Sequence, residues 1–144
     1  MNPTLALAAT LTLVALAAGA GLLVKARATR IRRPDTIAPI DLEAIGGELG
    51  EYQGGVVVQF STAYCSRCPG TQRVISEVLA PWDDVEFLHV DVTDRPKLVS
   101  EHRLTQTPTV LIVGADGTVR SRLSGEITRA VFTRELDAVL GGRA

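Results

Sequence analysis

The sequence is poor in cysteine and in aromatic residues, and each shortage excludes a class of protein. Its 144 residues include only two cysteines, too few for a small secreted fold held together by several disulfides. Aromatic residues make up 4% of the chain and are not interleaved with basic ones, which argues against a platform that stacks single-stranded nucleic acid. The formal net charge of −1 shows no excess of positive charge for a nucleic-acid partner.

The N-terminal segment lacks charge altogether. No charged residue occurs between Pro3 and Val24. About 20 apolar residues in an α-helix rise roughly 30 Å, which is the thickness of the hydrocarbon layer of a membrane. A cleaved signal peptide carries basic residues ahead of its apolar core, whereas only Met1 and Asn2 precede this one. Residues 1–24 are therefore predicted to be a retained transmembrane anchor.

A cluster of basic residues follows the apolar segment. It consists of Lys25, Arg27, Arg30, Arg32 and Arg33. Because basic residues beside a membrane span favour the cytoplasmic side, the positive-inside rule predicts a single-pass protein whose remaining domain lies in the cytoplasm. The alternative is an extracytoplasmic domain. Residues 25–39 are predicted to be a linker, whose arginines act as a topology signal alone or also contact anionic lipid headgroups.

The two cysteines are separated by only two residues. Cys65 and Cys68 follow an apolar run at residues 56–60 that is typical of a strand, and they precede a helical pattern that ends near Leu79. A cysteine pair at such a junction lies at the N-terminus of the helix, where the helix dipole stabilises a thiolate. The pair therefore indicates a redox protein.

From residue 40 onward, helical and strand patterns alternate. The predicted helices lie at residues 41–49, from the cysteines to residue 79, at 93–103 and at 128–140, and the predicted strands at 56–60, 85–92, 109–113 and 118–123. Strands that alternate with helices pair in parallel, with the helices as right-handed crossovers. The Asp116-Gly117 turn instead predicts a hairpin, whose two strands are antiparallel. The run at 56–60 lacks polar alternation, so it is expected to be central in the sheet. The predicted fold class is α/β, with a mixed central sheet flanked by helices.

Together these motifs resemble the thioredoxin family over residues 40 to 141. Four features carry the resemblance: the strand pattern before Cys65-Ser66-Arg67-Cys68, the strand pattern at 87–92, the Thr107-Pro108-Thr109 segment, and Gly125 after the final hairpin. The resemblance implies a thioredoxin-like fold in residues 40–144, with thiol:disulfide oxidoreductase activity. It also implies protein disulfide or thiol substrates and an upstream reductase or other electron donor. No cofactor is expected besides the redox-active cysteine pair.

The resemblance also implies roles for individual residues. In the family the first cysteine of the motif attacks and the second, buried beneath it, resolves the mixed disulfide, which carries over to Cys65 and Cys68. Pro108 corresponds to the family's cis-proline, and Thr107 before it is expected to face Cys65 in the substrate groove. Arg67 adds a positive charge, which either stabilises the thiolate or remains a solvated surface charge.

Gln59 and Tyr64 are among the positions that depart from the family pattern. Gln59 stands where the family has a buried aspartate, and an amide is not a useful base near neutral pH. Gln59 is instead expected to hydrogen-bond Cys68, directly or through water. Tyr64 replaces the tryptophan before the first cysteine. These departures leave open a different class of function, a non-catalytic thioredoxin-fold adaptor or redox sensor that recruits a membrane partner.

The two histidines raise the question of a zinc site shared with the cysteines. His89 lies in a strand pattern and His102 at the end of a helical one, without the interval of three to five residues that pairs zinc-binding histidines. No metal site is predicted. A hydrolase that pairs a cysteine with a histidine is also disfavoured, since it would not need Cys68.

Overall fold

The computed structural model describes residues 3–26, 29–32, 40–46 and 53–141 of the chain. The helices are α1 (Pro3–Ala26), α2 (Cys68–Leu79), α3 (Pro96–Glu101) and α4 (Arg129–Leu140). The strands are β1 (Thr29–Arg32), β2 (Gly55–Ser61), β3 (Val85–Asp91), β4 (Thr109–Val113) and β5 (Val119–Gly125). A short 3-10 turn covers Glu43–Ile45.

The five strands form one mixed sheet in the order β1-β5-β4-β2-β3. β2 pairs with β3 in parallel and with β4 antiparallel, while β5 is antiparallel to both β4 and β1. Every residue of β2 is buried, because a strand lies along each of its edges and apolar layers cover both faces. The predicted mixed sheet and the interior position of the 56–60 run are confirmed.

Each face of the sheet carries one apolar layer, and the two layers fix the ends of β2. On one face, Ile75 of α2 and Phe132 of α4 are fully buried against Val57 and its neighbours. On the other face, Ile45 of the 3-10 turn and apolar residues of α3 join the layer around Phe60. Full burial of one such side chain contributes about 1.5–3 kcal/mol. The C-terminal end of β2, which leads to the cysteines, is therefore held from both sides.

The helix predicted at 41–49 differs in the structure. Within its described residues, 41–46, a 3-10 turn forms at Glu43–Ile45 instead of an α-helix, and it ends at Gly46 with a φ of +93°. A glycine in this left-handed conformation ends a helix without the steric cost that other residues incur. Residues 47–49 of the predicted helix lie outside the described part of the chain.

The helix predicted at 93–103 is shorter than expected. α3 covers Pro96–Glu101, with the proline in its first turn as predicted. It ends before Arg103, whose φ of +47° cannot continue a right-handed helix. The predicted hairpin and the helix at 128–140 are confirmed as β4–β5 and α4.

α1 is the one helix of the described residues that is long and apolar enough to cross a membrane, over Thr4–Val24. Its side chains from residue 4 to 24 are exposed. A helix with apolar side chains all around its surface is suited to a lipid environment.

The predicted linker at 25–39 contains a strand that the sequence analysis missed. Residues 29–32 form β1, which pairs with β5 so that Ile31 lies opposite Leu123. Ile31 packs against the apolar layer that holds α2 and α4. A continuous linker over 25–39 is therefore wrong for residues 29–32, and residues 33–39 lie outside the described part of the chain.

Candidate active site

The two cysteines are joined by a disulfide at the start of α2. Cys65 follows the turn after β2, and Cys68 is the first residue of the helix. Their Cα atoms are 5.5 Å apart. Cys65 is half-buried, whereas Cys68 is only 4% exposed. Cys65 is thus the more accessible of the two sulfur-bearing residues, and the attacking and resolving roles that the resemblance implies for them stay a prediction.

The N-terminus of α2 faces this disulfide without a capping side chain. The N-cap residue is Arg67, which is exposed and makes no side-chain cap hydrogen bond. The main-chain N–H of Cys65 donates to Thr62 O at 3.1 Å, and that of Cys68 donates to Cys65 O at 3.3 Å. Because the positive end of the helix dipole is uncapped by side chains, a thiolate formed on Cys65 meets a favourable electrostatic environment there.

Thr107 and Pro108 approach the same region from the start of β4. The peptide bond between them is cis, and Pro108 is buried, with its carbonyl accepting a hydrogen bond from Gly125 N at 3.3 Å. The Thr107 hydroxyl lies 3.4 Å from the hydroxyl of Thr62, three residues before Cys65. The structure thus brings Thr107 onto the turn that carries the attacking cysteine. That its hydroxyl faces the sulfur stays a prediction.

A disulfide at a helix start and a cis-proline just before β4, on a mixed sheet of this order, are matched by a known family. The Thioredoxin family model matches residues 45–138, which is most of the folded domain. The chain belongs to the thioredoxin family.

Individual thioredoxins show the extent of the similarity. Thioredoxin H5 of Oryza sativa subsp. japonica is 30% identical over 66 residues, covering 46% of this chain and 49% of that protein. Mitochondrial thioredoxin-3 of Saccharomyces cerevisiae is 27% identical over 70 residues, covering 49% and 54%. The chain thus spans about half the length of the curated relatives it matches.

Solved structures of thioredoxins share the fold. Chloroplastic thioredoxin z superimposes with a TM-score of 0.59 at 21% identity, over 74% of this chain and 96% of its own. The oxidised form of Saccharomyces cerevisiae mitochondrial thioredoxin 3 gives 0.53 at 22% identity, over 61% and 81%. At these identities the likeness establishes the thioredoxin fold alone.

Gln59, which the resemblance aligns with a buried aspartate of the family, is fully buried. Its Nε2 donates a hydrogen bond to the main-chain carbonyl of Cys68 at 3.0 Å. The contact to Cys68 was predicted, but its acceptor is the main chain rather than the sulfur. Gln59 Oε1 has no hydrogen-bond partner among the described residues.

The turn before Cys65 is braced by a network that the sequence analysis missed. The hydroxyl of Thr93 accepts a hydrogen bond from Ala63 N at 2.8 Å and donates to Asp91 Oδ1 at 2.5 Å. Thr93 N also donates to Asp91 Oδ1, and these hydrogen bonds hold the pKa of Asp91 below its ordinary value. A threonine two residues after an aspartate at a strand end is a local signal, but its link to Ala63 appears only in the fold.

A cavity of about 360 Å³ opens beside α2, the helix that begins at Cys68. Its described lining residues are Arg67, Gly70, Thr71, Val74, Glu126 and Ile127. Arg67 and Glu126 place opposite charges on this cavity, with apolar surface between them. Tyr64, which precedes the attacking cysteine, is 89% exposed and extends the surface that a protein substrate would meet.

The two histidines have separate local partners in this thioredoxin domain. A nitrogen of His89 lies 2.7 Å from the Ser61 hydroxyl, and the His102 ring stacks on Phe60 with centroids 5.3 Å apart. Among the residues that the structure describes, no three His, Cys, Asp or Glu side chains are grouped to hold a metal ion.

Proposed function

We propose that the protein is a membrane-tethered thiol:disulfide oxidoreductase that acts on protein substrates as a reductase. The observation that carries this proposal is the pairing of a half-buried Cys65 with a buried Cys68 in one disulfide at an uncapped helix start. Only the first sulfur is accessible to another protein, while the second is positioned to attack it from inside.

The reaction takes place in two exchange steps. The Cys65 thiolate attacks one sulfur of a substrate disulfide, so that a mixed disulfide forms and the other substrate sulfur leaves as a thiolate. The Cys68 thiolate then attacks Cys65 Sγ, which forms the Cys65–Cys68 disulfide and releases the second substrate thiolate. Two electrons pass from the cysteine pair to the substrate, whose two sulfurs take up protons. An upstream protein dithiol restores the pair by the same steps in reverse.

Substrate binding uses the surface around the disulfide. An extended peptide segment that lies across Thr107 and Pro108 presents its sulfur to Cys65. The cavity bordered by Arg67 and Glu126 accommodates an adjacent side chain, with apolar walls for its body and a charge at either side. Thr107 and Pro108 therefore shape the groove, and Arg67 tunes the thiolate.

The tether and its direction are proposed from α1 and the basic residues that follow it. α1 is long and apolar enough to span the hydrocarbon layer. The basic cluster after it favours a cytoplasmic domain, where the reducing environment keeps the pair as thiols and supports the reductase direction. An extracytoplasmic domain would use the same residues for thiol reduction outside the cytoplasm.

An insulin-disulfide reduction assay tests the enzymatic proposal on the full chain in neutral detergent. We expect turnover by the native chain and none by Cys65→Ser, while Cys68→Ser accumulates a mixed disulfide with its substrate. Ser66→Ala, between the two cysteines, is the matched control and retains activity. Equal activity of the native chain and Cys65→Ser would refute the catalytic role.

The alternative, an adaptor that recruits a membrane partner through the thioredoxin fold, is favoured by one observation. Gln59 supplies no base beneath the disulfide, so the step that needs a proton acceptor lacks the carboxylate. If the native chain shows no turnover beyond Cys65→Ser and still binds a membrane protein, the adaptor stands.

The orientation is tested separately. A reporter that functions only in the cytoplasm, fused after Ala144, is expected to be active. A stable but silent fusion would place the domain on the opposite side.

A further inference from the structure

A basic cavity lies on the sheet face opposite α2 and α4, near the point where the chain leaves α1. It has a volume of about 410 Å³ and forms between β1, β5 and the segment after α3. Among the described residues, four arginines line it: Arg30, Arg32, Arg103 and Arg122. Its described lining residues include no aspartate or glutamate. Four guanidinium groups around one cavity create a strongly positive site that the disulfide chemistry does not use.

The strand register brings two of these arginines face to face. Arg32 of β1 lies directly opposite Arg122 of β5, and Arg30 lies opposite Ser124. Side chains at directly opposite positions have Cβ atoms about 4.5–5.5 Å apart, and like charges there are destabilising. An anion between the two guanidinium groups converts this repulsion into attraction.

Arg122 is held in place before any ligand arrives. Its Nη1 donates to His102 O at 2.8 Å and its Nη2 to Arg103 O at 2.9 Å. A guanidinium group has five N–H donors, so donors remain for a ligand. Burial, and secondarily the charge of Arg32, lowers the pKa of Arg122. A bound anion would offset both unfavourable effects.

The remaining lining residues suit an oxyanion. Thr105, Gln106 and Ser124 add uncharged hydrogen-bond donors to the arginines. Arginine binds phosphate through paired N–H groups, and clusters of it are typical of phosphate recognition. A ligand with several acceptor oxygens around one negatively charged centre therefore fits this cavity.

The position in the chain indicates where such a phosphate comes from. α1 ends at Ala26 and β1 begins at Thr29, so three Cα steps join them and span at most about 11 Å. The headgroup region on each side of the hydrocarbon core is about 5–8 Å thick. With α1 in the membrane, Arg30 and Arg32 lie at or just beyond the lipid phosphates.

We propose that Arg30, Arg32, Arg103 and Arg122 form a binding site for the phosphate group of an anionic phospholipid, which seats the domain against the membrane surface. The inference rests on the proposed membrane anchor. It does not depend on the disulfide activity, because no residue of this cavity lines the one beside the cysteines.

Native mass spectrometry of the full chain in neutral detergent, titrated with phosphatidylglycerol, tests the site. We expect saturable binding of one lipid molecule, which Arg30→Gln with Arg103→Asn weakens by at least about tenfold. Asparagine is chosen at 103 because it tolerates the positive φ there. The charge-matched control is Arg73→Gln with Arg134→Gln, two exposed arginines on α2 and α4, and it should bind as the native chain does.

The proposed site would be overturned if the control pair lost as much affinity for phosphatidylglycerol as the cavity pair does. Equally tight binding of zwitterionic phosphatidylcholine would also overturn it. Inorganic phosphate provides the second arm: if it alone saturates the cavity and displaces phosphatidylglycerol, the ligand is a free phosphate and the lipid assignment fails. Arg32→Gln alone is the second variant, should the double substitution unfold. Membrane retention of the chain after an alkaline wash reports on the anchor independently, so loss of the site and loss of the anchor are distinguishable.

Discussion

Gln59 donates one hydrogen bond to the carbonyl of Cys68, at 3.0 Å, and leaves its own Oε1 without a partner in the described part of the chain. A buried acceptor without a partner costs about 1–3 kcal/mol, whereas a satisfied hydrogen bond gains about 1 kcal/mol. The oxidised protein carries this cost. In the reduced protein Cys68 carries a thiol, and we expect this thiol to donate to Gln59 Oε1, so that reduction would relieve the cost.

Replacement of Gln59 by methionine is therefore expected to affect the two redox states differently. The oxidised protein should change in free energy of unfolding by less than about 1 kcal/mol, because one hydrogen bond and one unpaired oxygen are lost together. The reduced protein loses the thiol acceptor, so the reduction potential should become roughly 10–30 mV more negative. Equilibration with glutathione measures it. Gln72→Met, a half-buried control on α2, should leave the potential unchanged; an equal shift in both would refute the role of Gln59.

Arg67 is expected to favour the thiolate of the reduced pair. Substitution by glutamine removes a positive charge at the helix start, so alkylation of reduced Cys65 by iodoacetamide at neutral pH should slow. Arg67 is exposed, and exposed charge interactions contribute about 0.2–1 kcal/mol, which sets the scale of the change and makes it weaken in high salt. Arg73→Gln, on the same helix, is the matched control. An unchanged alkylation rate would show that Arg67 is only a solvated charge.

Thr93 is expected to stabilise the turn that carries Cys65. Thr93→Val removes the acceptor of the Ala63 N–H and the donor to Asp91, and it should lower the free energy of unfolding by about 0.5–1.5 kcal/mol. Insulin reduction should slow as well, since the turn before the attacking sulfur loses its brace. Thr93→Ser keeps the hydroxyl and should restore both. If Thr93→Val reduced insulin at the native rate, the hydrogen bonds of Thr93 would contribute to stability but not to activity.

His102 should make stability depend on pH. Burial is the main cause that lowers its pKa from the ordinary 6.5, so the unfolded chain takes up the proton more readily than the folded one. The free energy of unfolding is then at its full value above about pH 6.5 and falls as the pH drops from there to the folded-state pKa. Urea unfolding between pH 7.5 and 5 measures this slope.

His102→Phe keeps a ring against Phe60 without a titrating group, and it should flatten the slope in that window. Asp91 affects the free energy of unfolding at a lower pH than His102 does. Because hydrogen bonds depress its pKa, its stabilising effect is present above about pH 3.8 and is lost only as the pH falls further. If the free energy of unfolding of His102→Phe still depended on pH near pH 6, a group other than His102 would be the cause.

Most of the sheet could be predicted from the sequence because burial leaves a pattern in it. The unbroken apolar run of β2 and the Asp116-Gly117 turn of the β4–β5 hairpin are local signals, and both elements form as predicted. β1 carries little such signal. Its four residues, Thr-Arg-Ile-Arg, pair because β5 has an open edge, and that edge exists only once the domain has folded.

Some contacts of the candidate site could likewise be predicted from the sequence, and others could not. Cys65 and Cys68 form a sequence motif, so their proximity could be expected from the chain alone, whereas the cis peptide bond before Pro108 was implied only by the resemblance to the thioredoxin family. The acceptor of Gln59 could not, because it depends on how the first turn of α2 lies over β2. The brace from Thr93 to Ala63 joins residues 30 positions apart and follows from the parallel pairing of β2 with β3.

With α1 as the proposed anchor, the docking of β1 shortens the distance that the disulfide can move away from the membrane. A flexible linker over residues 25–39 would have a root-mean-square span of about 20 Å, letting the domain sweep a deep volume above the bilayer. With β1 in the sheet, only residues 27 and 28 separate the anchor from the domain. The cysteines of a domain tethered in this way would stay within a thin layer at the membrane surface. The proposed reduction would then favour substrate disulfides close to the membrane, where the effective concentration of the cysteines would be high.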